Sequence, residues 1–297
     1  MDKITLLAPA KLNLGLWVEK KRRDGFHEIL TTMVPLEFGD KVQITKTGSG
    51  LKLKTTGIQL NIAPELNLAF RAARLFFSQL KIPPCCFISI HKRIPPGSGL
   101  GGGSSDAASV LLGLSALFDY PLSPSKLHRL AAQLGSDVPF FLRASACVAR
   151  GKGELLRKVR LPTLNFVLLI PEFGVDTAWA YRALDQQRRK LTAVPISPKI
   201  LALKLRRNEP AGIAAQLYNS FEPVVFRRFP QLKRAKDLLL KKGACAASLS
   251  GSGSTVYGLF LGPDPMAVLK LVKREDLGFS AISTRSRPTV RDNWGVV

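Results

Sequence analysis

The chain is poor in cysteine, and its few cysteines are not spaced to bind metal. Cys85, Cys86, Cys147 and Cys245 form no C-x-x-C pair, and adjacent Cys85 and Cys86 cannot readily serve one tetrahedral site. Free thiols in a reducing compartment are expected. Long apolar runs are also missing. No stretch approaches the roughly 20 residues of a membrane span, and the longest, residues 166–170, is strand-sized. Ile4, Leu6 and Leu7 are followed by Pro9 and Lys11, which leaves too little for the apolar region of a signal peptide. These absences predict a soluble, cytoplasmic protein with no membrane partner. Repeats and low-complexity tails are lacking too. With 297 residues, 46% of them hydrophobic, the chain can bury a sizeable core in one large or two modest domains.

Negative charge is short as well: 21 acidic residues face 44 basic ones, a net charge of +23. Such an excess raises nucleic-acid binding as a possibility. The basic clusters at residues 20–23, 188–190 and 227–242 fall on different expected elements, without interleaved aromatics or a nucleic-acid motif. No specific nucleic-acid partner is expected. A polyanionic small substrate accounts for the charge equally well.

What is abundant is glycine, concentrated in one place. Residues 95–108 read P-P-G-S-G-L-G-G-G-S-S-D-A-A, with Gly97, Gly99, Gly101, Gly102 and Gly103 inside seven positions. A β-rich run at 86–90 precedes it, and an apolar run to Phe118 follows. Ser104, Ser105 and Asp106 sit where an N-cap belongs, predicting a helix over 105–118. A glycine loop feeding a helix N-terminus offers free amides and a positive dipole end to phosphate. It is not a Walker A loop, since no lysine follows the glycines. It is not a dinucleotide fold either, because Asp119 lies at the helix end and does not close a second strand.

Elsewhere the pattern is mixed α+β. Strands are expected at 4–8, at 11–18 and at 29–38. Strict alternation over 11–18 puts Leu12, Leu14, Leu16 and Val18 on one face and Lys11 with Asn13 on the other. On residues alone, that second face is either solvated or a rigid place to hold substrate. Residues 41–46 and 51–55 read as a hairpin about a Thr-Gly-Ser-Gly turn. Helices are expected at 64–80 and from Ser123-Pro124 to Gly135. Asp137 then stands before Val-Pro-Phe-Phe, as an Asx turn or as a functional carboxylate. Strands at 143–150 and 155–159 precede a domain boundary near Leu161-Pro162, dividing residues 1–160 from 161–297. A buried strand at 165–170 opens the second half. Residues 186–215 are basic and helical in part, 219–222 and 230–242 read as helices, and 244–248 and 256–260 as strands. Between that last pair lies S-L-S-G-S-G-S-T, residues 248–255, a plain turn or a phosphate-side loop.

The glycine segment, together with A-P-A-K-L-N-L-G-L at 8–16 and the G-S-G-S segment near 251–254, resembles the galactokinase, homoserine kinase, mevalonate kinase and phosphomevalonate kinase superfamily. The motifs keep that superfamily's order from Lys11 to Thr255, so the resemblance covers nearly the whole chain. It implies an N-terminal α+β domain of the ribosomal-protein-S5 type, a ferredoxin-like C-terminal domain and an active site between them. It implies ATP and Mg²⁺ as cofactors, with Pro95, Pro96, Gly97, Ser98, Gly99, Leu100, Gly101, Gly102, Gly103, Ser104 and Ser105 around the nucleotide. Ser104 or Ser105 would stand near Mg²⁺, and no dedicated metal-ligand set is assigned.

Asp24-Gly25-Phe26-His27 narrows the resemblance to the branch of non-mevalonate isoprenoid synthesis, whose acceptor alcohol is a methylerythritol linked to cytidine diphosphate. In that branch the aspartate matching Asp137 is the catalytic base, and Lys11 would pair with it. Asn13, Thr177, Gly251 and Ser252 would hold substrate, and Phe26, His27 and Tyr181 would recognise the cytidine. Taken alone, Tyr181 is equally an apolar position of a short helix. Asp176 stands where the branch more often has serine. A monomer or weak homodimer is expected.

Overall fold

The computed structural model describes residues 1–60, 62–187, 197–262, 265–273, 275 and 278–288. Two long strands, β1 (Lys3–Lys21) and β2 (His27–Lys46), pair antiparallel over most of their length. β1 joins the two strands expected at 4–8 and 11–18, with one register shift at Pro9/Lys11 and another at Leu14/Leu16. Gly15 lies at the second shift with φ +73°, the left-handed backbone that a bulge of this kind asks of glycine. The extra residue reverses the alternation, because Leu14 faces Thr32 across the ladder while Leu16 faces Thr31. Leu16 therefore joins the face of Lys11 and Asn13, and the uninterrupted apolar face expected from Leu12 to Val18 is broken at the bulge.

The hairpin expected from residues 41–46 and 51–55 does not form. Instead β4 (Cys85–Lys92) lies between β2 and β3 (Gly50–Gly57). Ser89 faces Gln43 on its antiparallel side and Lys54 on its parallel side. Side-chain chemistry explains the order. β4 buries Cys86, Ile88 and Ile90, whereas β3 exposes Lys52 and Lys54, which suits a sheet edge.

The far end of β2 carries β5 (Cys147–Arg150), which pairs with β6 (Leu155–Lys158). Arg143 is not in a strand as expected. It ends a short helix, and Ala144 turns the chain with φ +42° before β5 begins.

Four helices cover this sheet: α1 (Leu68–Leu80), α2 (Gly102–Leu117), α3 (Pro124–Leu134) and α4 (Val138–Arg143). Asn67 caps α1 by accepting from the Ala69 amide at 2.9 Å. Ser123 caps α3, with Pro124 at its first position as expected. Phe76, Phe77, Leu111 and Leu114 are fully buried in the core these helices form with the sheet. α2 buries residues around its whole circumference, as its apolar sequence requires.

The second half is built on β7 (Asn165–Pro171), β8 (Ala246–Leu249), β9 (Val256–Phe260) and β10 (Phe279–Arg285). Their order, β10-β7-β9-β8 with all neighbours antiparallel, is the ferredoxin-like arrangement. Between β7 and β8 come α5 (Thr177–Gln187), α6 (Pro198–Arg206), α7 (Pro210–Ala214), α8 (Glu222–Arg228) and α9 (Pro230–Lys241). α10 (Pro265–Lys273) joins β9 to β10. Of the basic stretch at 186–215, residues 188–196 lie outside the described residues. Asn219 and Ser220, expected in a helix, instead form the turn that leads into α8. Among the described residues, no helix is long and apolar enough to cross a membrane.

Candidate active site

The glycine segment, β1, the turn between β8 and β9, and the start of α5 enclose one cleft of about 1020 Å³. Gly97, Gly99 and Gly101 have φ of +65°, +75° and +73°, so this loop depends on residues without a Cβ. α2 begins at Gly102, earlier than expected, and its N-cap is Gly101, which offers no side chain. Ser104, Ser105 and Asp106 are therefore inside the helix rather than capping it. The leading amides of α2 are left without intrahelical acceptors and lie at the positive end of its dipole, beside the cleft.

Of the residues assigned to the nucleotide, Pro95, Pro96, Gly97, Ser98, Gly99, Gly101, Gly102, Gly103 and Ser104 line the cleft. Leu100 and Ser105 do not. Leu100 is fully buried in an apolar cluster. The Ser105 hydroxyl is buried on the inner side of α2, with no hydrogen-bond partner among the described residues.

The loop is held by the second half of the molecule. Gly97 O accepts from the amides of Val175 (3.0 Å) and Ser254 (3.2 Å), and Ser98 O accepts from Thr255 N at 3.0 Å. Residues 250–255 are thus a hairpin turn, with Ser250 N donating to Thr255 O at 2.9 Å, and also a wall of the cleft. Asn219 steadies this turn: its buried amide donates to Leu249 O at 2.7 Å and to Gly251 O at 2.9 Å.

Lys11 and Asn13 are only 4% and 5% exposed, so their face of β1 is covered rather than solvated. Lys11 Nζ donates to Asn13 Oδ1 at 2.5 Å, and Asn13 Nδ2 donates to Thr31 Oγ1 at 3.1 Å. Burial pushes the Lys11 ammonium below its ordinary pKa, and the negative charge of Asp137 opposes that shift. Lys11 feels Asp137 through space, while its hydrogen bond goes to Asn13. Asp137 stands at the N-terminus of α4 yet makes no side-chain capping bond, so its carboxylate is not spent on an Asx turn and faces the cleft. A Cβ on Gly153 would sit 3.8 Å from Asp137 Oδ1, which places the β5–β6 turn against the same carboxylate.

An aromatic cluster forms the opposite end. His27 stacks on Tyr181 with centroids 4.7 Å apart and planes 23° apart. Tyr181 in turn meets Phe221 edge-on at 4.9 Å. Burial, and then the charge of Asp137, raise the Tyr181 hydroxyl to about 12, so it stays protonated at neutral pH. Phe26 is 51% exposed and carries the Lys152 ammonium 4.5 Å above its ring. The His27 and Tyr181 rings stack on each other, so no planar base fits between those two. Thr177 Oγ1 lies 2.9 Å from Ser252 Oγ. Asp176 caps α5 by accepting from Trp179 N at 2.5 Å, a task serine performs equally well.

Three residues beneath the loop escaped the sequence reading as a group. Lys92 Nζ is buried between Asp40 and Asp106, donating to Asp106 Oδ2 at 2.6 Å and to Asp40 Oδ2. Burial, with the Asp40 charge adding to it, raises Asp106 to about 7. Burial would lower Lys92, but the two carboxylates outweigh it and leave the ammonium above its ordinary value. Asp106 was visible inside the glycine motif; nothing in the sequence pairs it with Lys92 or Asp40. Among the described residues, no three His, Cys, Asp or Glu side chains are grouped to hold a metal ion.

The N- and C-terminal domain models of GHMP kinases match residues 67–145 and 200–274, and the fold and site define an ATP-dependent small-molecule kinase of that class. A 4-diphosphocytidyl-2-C-methyl-D-erythritol kinase of Moorella thermoacetica is 40% identical over 87% of this chain and 90% of that protein. One from Thermus thermophilus is 41% identical over 87% and 88%. A crystal structure of 4-(cytidine 5'-diphospho)-2C-methyl-D-erythritol kinase superposes with a TM-score of 0.82 at 36% identity, covering 96% of this chain and all of that one. The homoserine kinase of Cytophaga hutchinsonii, at 19% identity, shares the fold with a TM-score of 0.72 over 97% of this chain and 95% of its own. The chain belongs to the 4-diphosphocytidyl-2-C-methyl-D-erythritol kinase family.

Proposed function

We propose that the chain transfers the γ-phosphoryl group of ATP to the 2-hydroxyl of 4-diphosphocytidyl-2-C-methyl-D-erythritol. The products are the 2-phosphate and ADP, a step of non-mevalonate isoprenoid precursor synthesis. The observation that carries this reading is that Lys11 and Asp137 share one cleft with the glycine loop. Phosphoryl transfer asks mainly for positioning and for stabilisation of charge. Amides of the loop and of the α2 N-terminus receive the ATP phosphates. Asp137 takes the proton of the acceptor hydroxyl as that oxygen attacks phosphorus. Lys11, held by Asn13, offsets the negative charge that develops between donor and acceptor.

Mg²⁺ belongs to the same proposal. Among the described residues no acidic cluster is grouped to hold a metal, which suits a cation that arrives on phosphate oxygens and keeps most of its waters, with the Ser104 hydroxyl lining the cleft beside them. It would supply further neutralisation of the transferred group. Phe26, His27 and Tyr181 recognise the cytidine, and Asn13, Thr177, Gly251 and Ser252 position the rest of the acceptor. Residues 1–160 form the domain bearing the ATP loop and 161–297 the second domain. The partners are small molecules, and the setting is the cytoplasm, as a monomer or weak homodimer.

ADP release from ATP and Mg²⁺ tests the reading, with the cytidylyl acceptor set against homoserine, mevalonate and no acceptor. Turnover only with the cytidylyl acceptor is expected. Turnover with another alcohol instead would discard the roles of Phe26, His27 and Tyr181.

A further inference from the structure

We infer that Asp185, on α5, is a positioning residue for the acceptor's base, acting through His27. This rests on the reading that His27 and Tyr181 meet the cytidine. Asp185 Oδ1 lies 2.8 Å from His27 Nε2, a contact spanning 158 positions of sequence. It ties the first residue of β2, in the N-terminal half, to a helix of the C-terminal half. His27 is only 7% exposed, so this bond sits on a ring already removed from water.

Two consequences follow from the chemistry of imidazole. A carboxylate at Nε2 only accepts, so Nε2 carries a proton and a neutral His27 has its lone pair on Nδ1. Rotating the ring by half a turn about Cβ–Cγ would put Cε1 where Nε2 stands and lose the bond, so the bond also fixes the ring's orientation. The ring so fixed is the one stacked on Tyr181 at 4.7 Å, and Tyr181 is braced from its other side by Phe221 at 4.9 Å. Asp185 therefore completes a chain, Asp185–His27–Tyr181–Phe221, whose members all line the cleft. Phe26, the exposed aromatic of the cluster, is the residue next to His27, so the same bond anchors the peptide that presents it.

A merely structural tie between the halves would disturb ATP and acceptor alike, because the glycine loop also depends on contacts across that boundary. A positioning role is selective. In steady-state kinetics of the full chain, Asp185→Ala should raise the KM for 4-diphosphocytidyl-2-C-methyl-D-erythritol about tenfold, the loss of one charge-assisted hydrogen bond. The KM for ATP and kcat should stay within about twofold. Asp185→Asn keeps an oxygen that accepts from Nε2–H and should restore most of the acceptor KM. His27→Ala should raise the acceptor KM at least as far, and adding Asp185→Ala to it should change nothing more.

Equal rises in both KM values, with no rescue by asparagine, would overturn the inference. So would an unchanged acceptor KM in Asp185→Ala alongside a raised one in His27→Ala. An unchanged acceptor KM in His27→Ala removes the base-recognition reading itself, and the role of Asp185 falls with it.

Discussion

Ser250 Oγ donates to the carbonyl of Gly99 at 3.0 Å, so the nucleotide loop of the first half is fastened to the β8–β9 turn of the second. At this point a Cβ on Gly99 would come within 2.1 Å of Ser250 O and 2.8 Å of Gly253 O, at a φ of +75°. Neither neighbour is a flexible side chain. Gly99→Ala should therefore lift the loop off the turn. The expected result is a KM for ATP raised about tenfold or more and a stability loss of about 1–3 kcal/mol, read by kinetics and by urea unfolding. An alanine variant with unchanged ATP KM would mean that the loop's seating does not govern the donor.

Asp137→Asn tests the base. Its carboxylate makes no capping bond, so the amide should be accommodated without loss of fold. Turnover should fall by about 10²–10⁴, the usual worth of a general base, while equilibrium binding of ATP and acceptor is kept. An unchanged kcat would remove Asp137 from the chemistry.

Lys11 is an ammonium held under cover, and its burial costs stability. Its folded pKa lies below the ordinary 10.5, so above that depressed value the unfolded chain binds more protons than the folded one. The unfolding free energy associated with Lys11 then rises with pH toward 10.5. Lys11→Met should abolish turnover yet raise Tm by about 2–4 °C near neutral pH, with the advantage shrinking as pH climbs. A melting series between neutral and alkaline pH decides it. A lower Tm in the methionine variant would show that Lys11 is a net stabiliser.

The buried trio under the loop should respond asymmetrically. Removing its only cation, Lys92→Met, leaves Asp40 and Asp106 facing each other without a counter-charge and should cost about 3–5 kcal/mol. Burial raises Asp106 above the ordinary carboxylate range, so a neutral side chain is the milder change at that position. Asp106→Asn keeps an acceptor for Lys92 and should cost about 1 kcal/mol or less. Urea unfolding of both variants measures the contrast; equal losses would mean that the trio does not depend on its cation more than on the Asp106 charge.

How far the sequence could be read depended on the range of the forces involved. The glycine loop, Asp137 and the N-cap Ser123 involve chemistry between near neighbours, and near neighbours are visible in a linear string. The cap at Asn67 is missed, because Pro64 and Glu65 read as the helix start. Leu16 changed faces because one bulge at Gly15 resets the alternation, and a glycine inside a strand does not say which way the count shifts. β3 misled for a different reason. Its alternation with residues 41–46 is genuine, but nothing local records that the more apolar β4 competes for the same edge of β2. The helix starts at Gly102 rather than Ser105 because the chain enters it through Gly101 in left-handed backbone, which takes the cap position ahead of the serines. The pairings Lys92 with Asp40 and Asp106, and His27 with Asp185, join residues far apart in the chain, and composition carries no trace of them.

The insertion of β4 between β2 and β3 also bears on how the chain is made. During synthesis β3 leaves the ribosome well before β4, its ladder partner among the described residues, and it must wait, unpaired on that edge, until residues 85–92 follow. β4 then closes the slot, and the nucleotide loop begins directly beyond its last residues. The sheet must therefore be complete before the loop has a fixed edge to leave from. Nascent chains stalled before residue 85 should lack nucleotide affinity, and should expose a strand that a holding chaperone can bind.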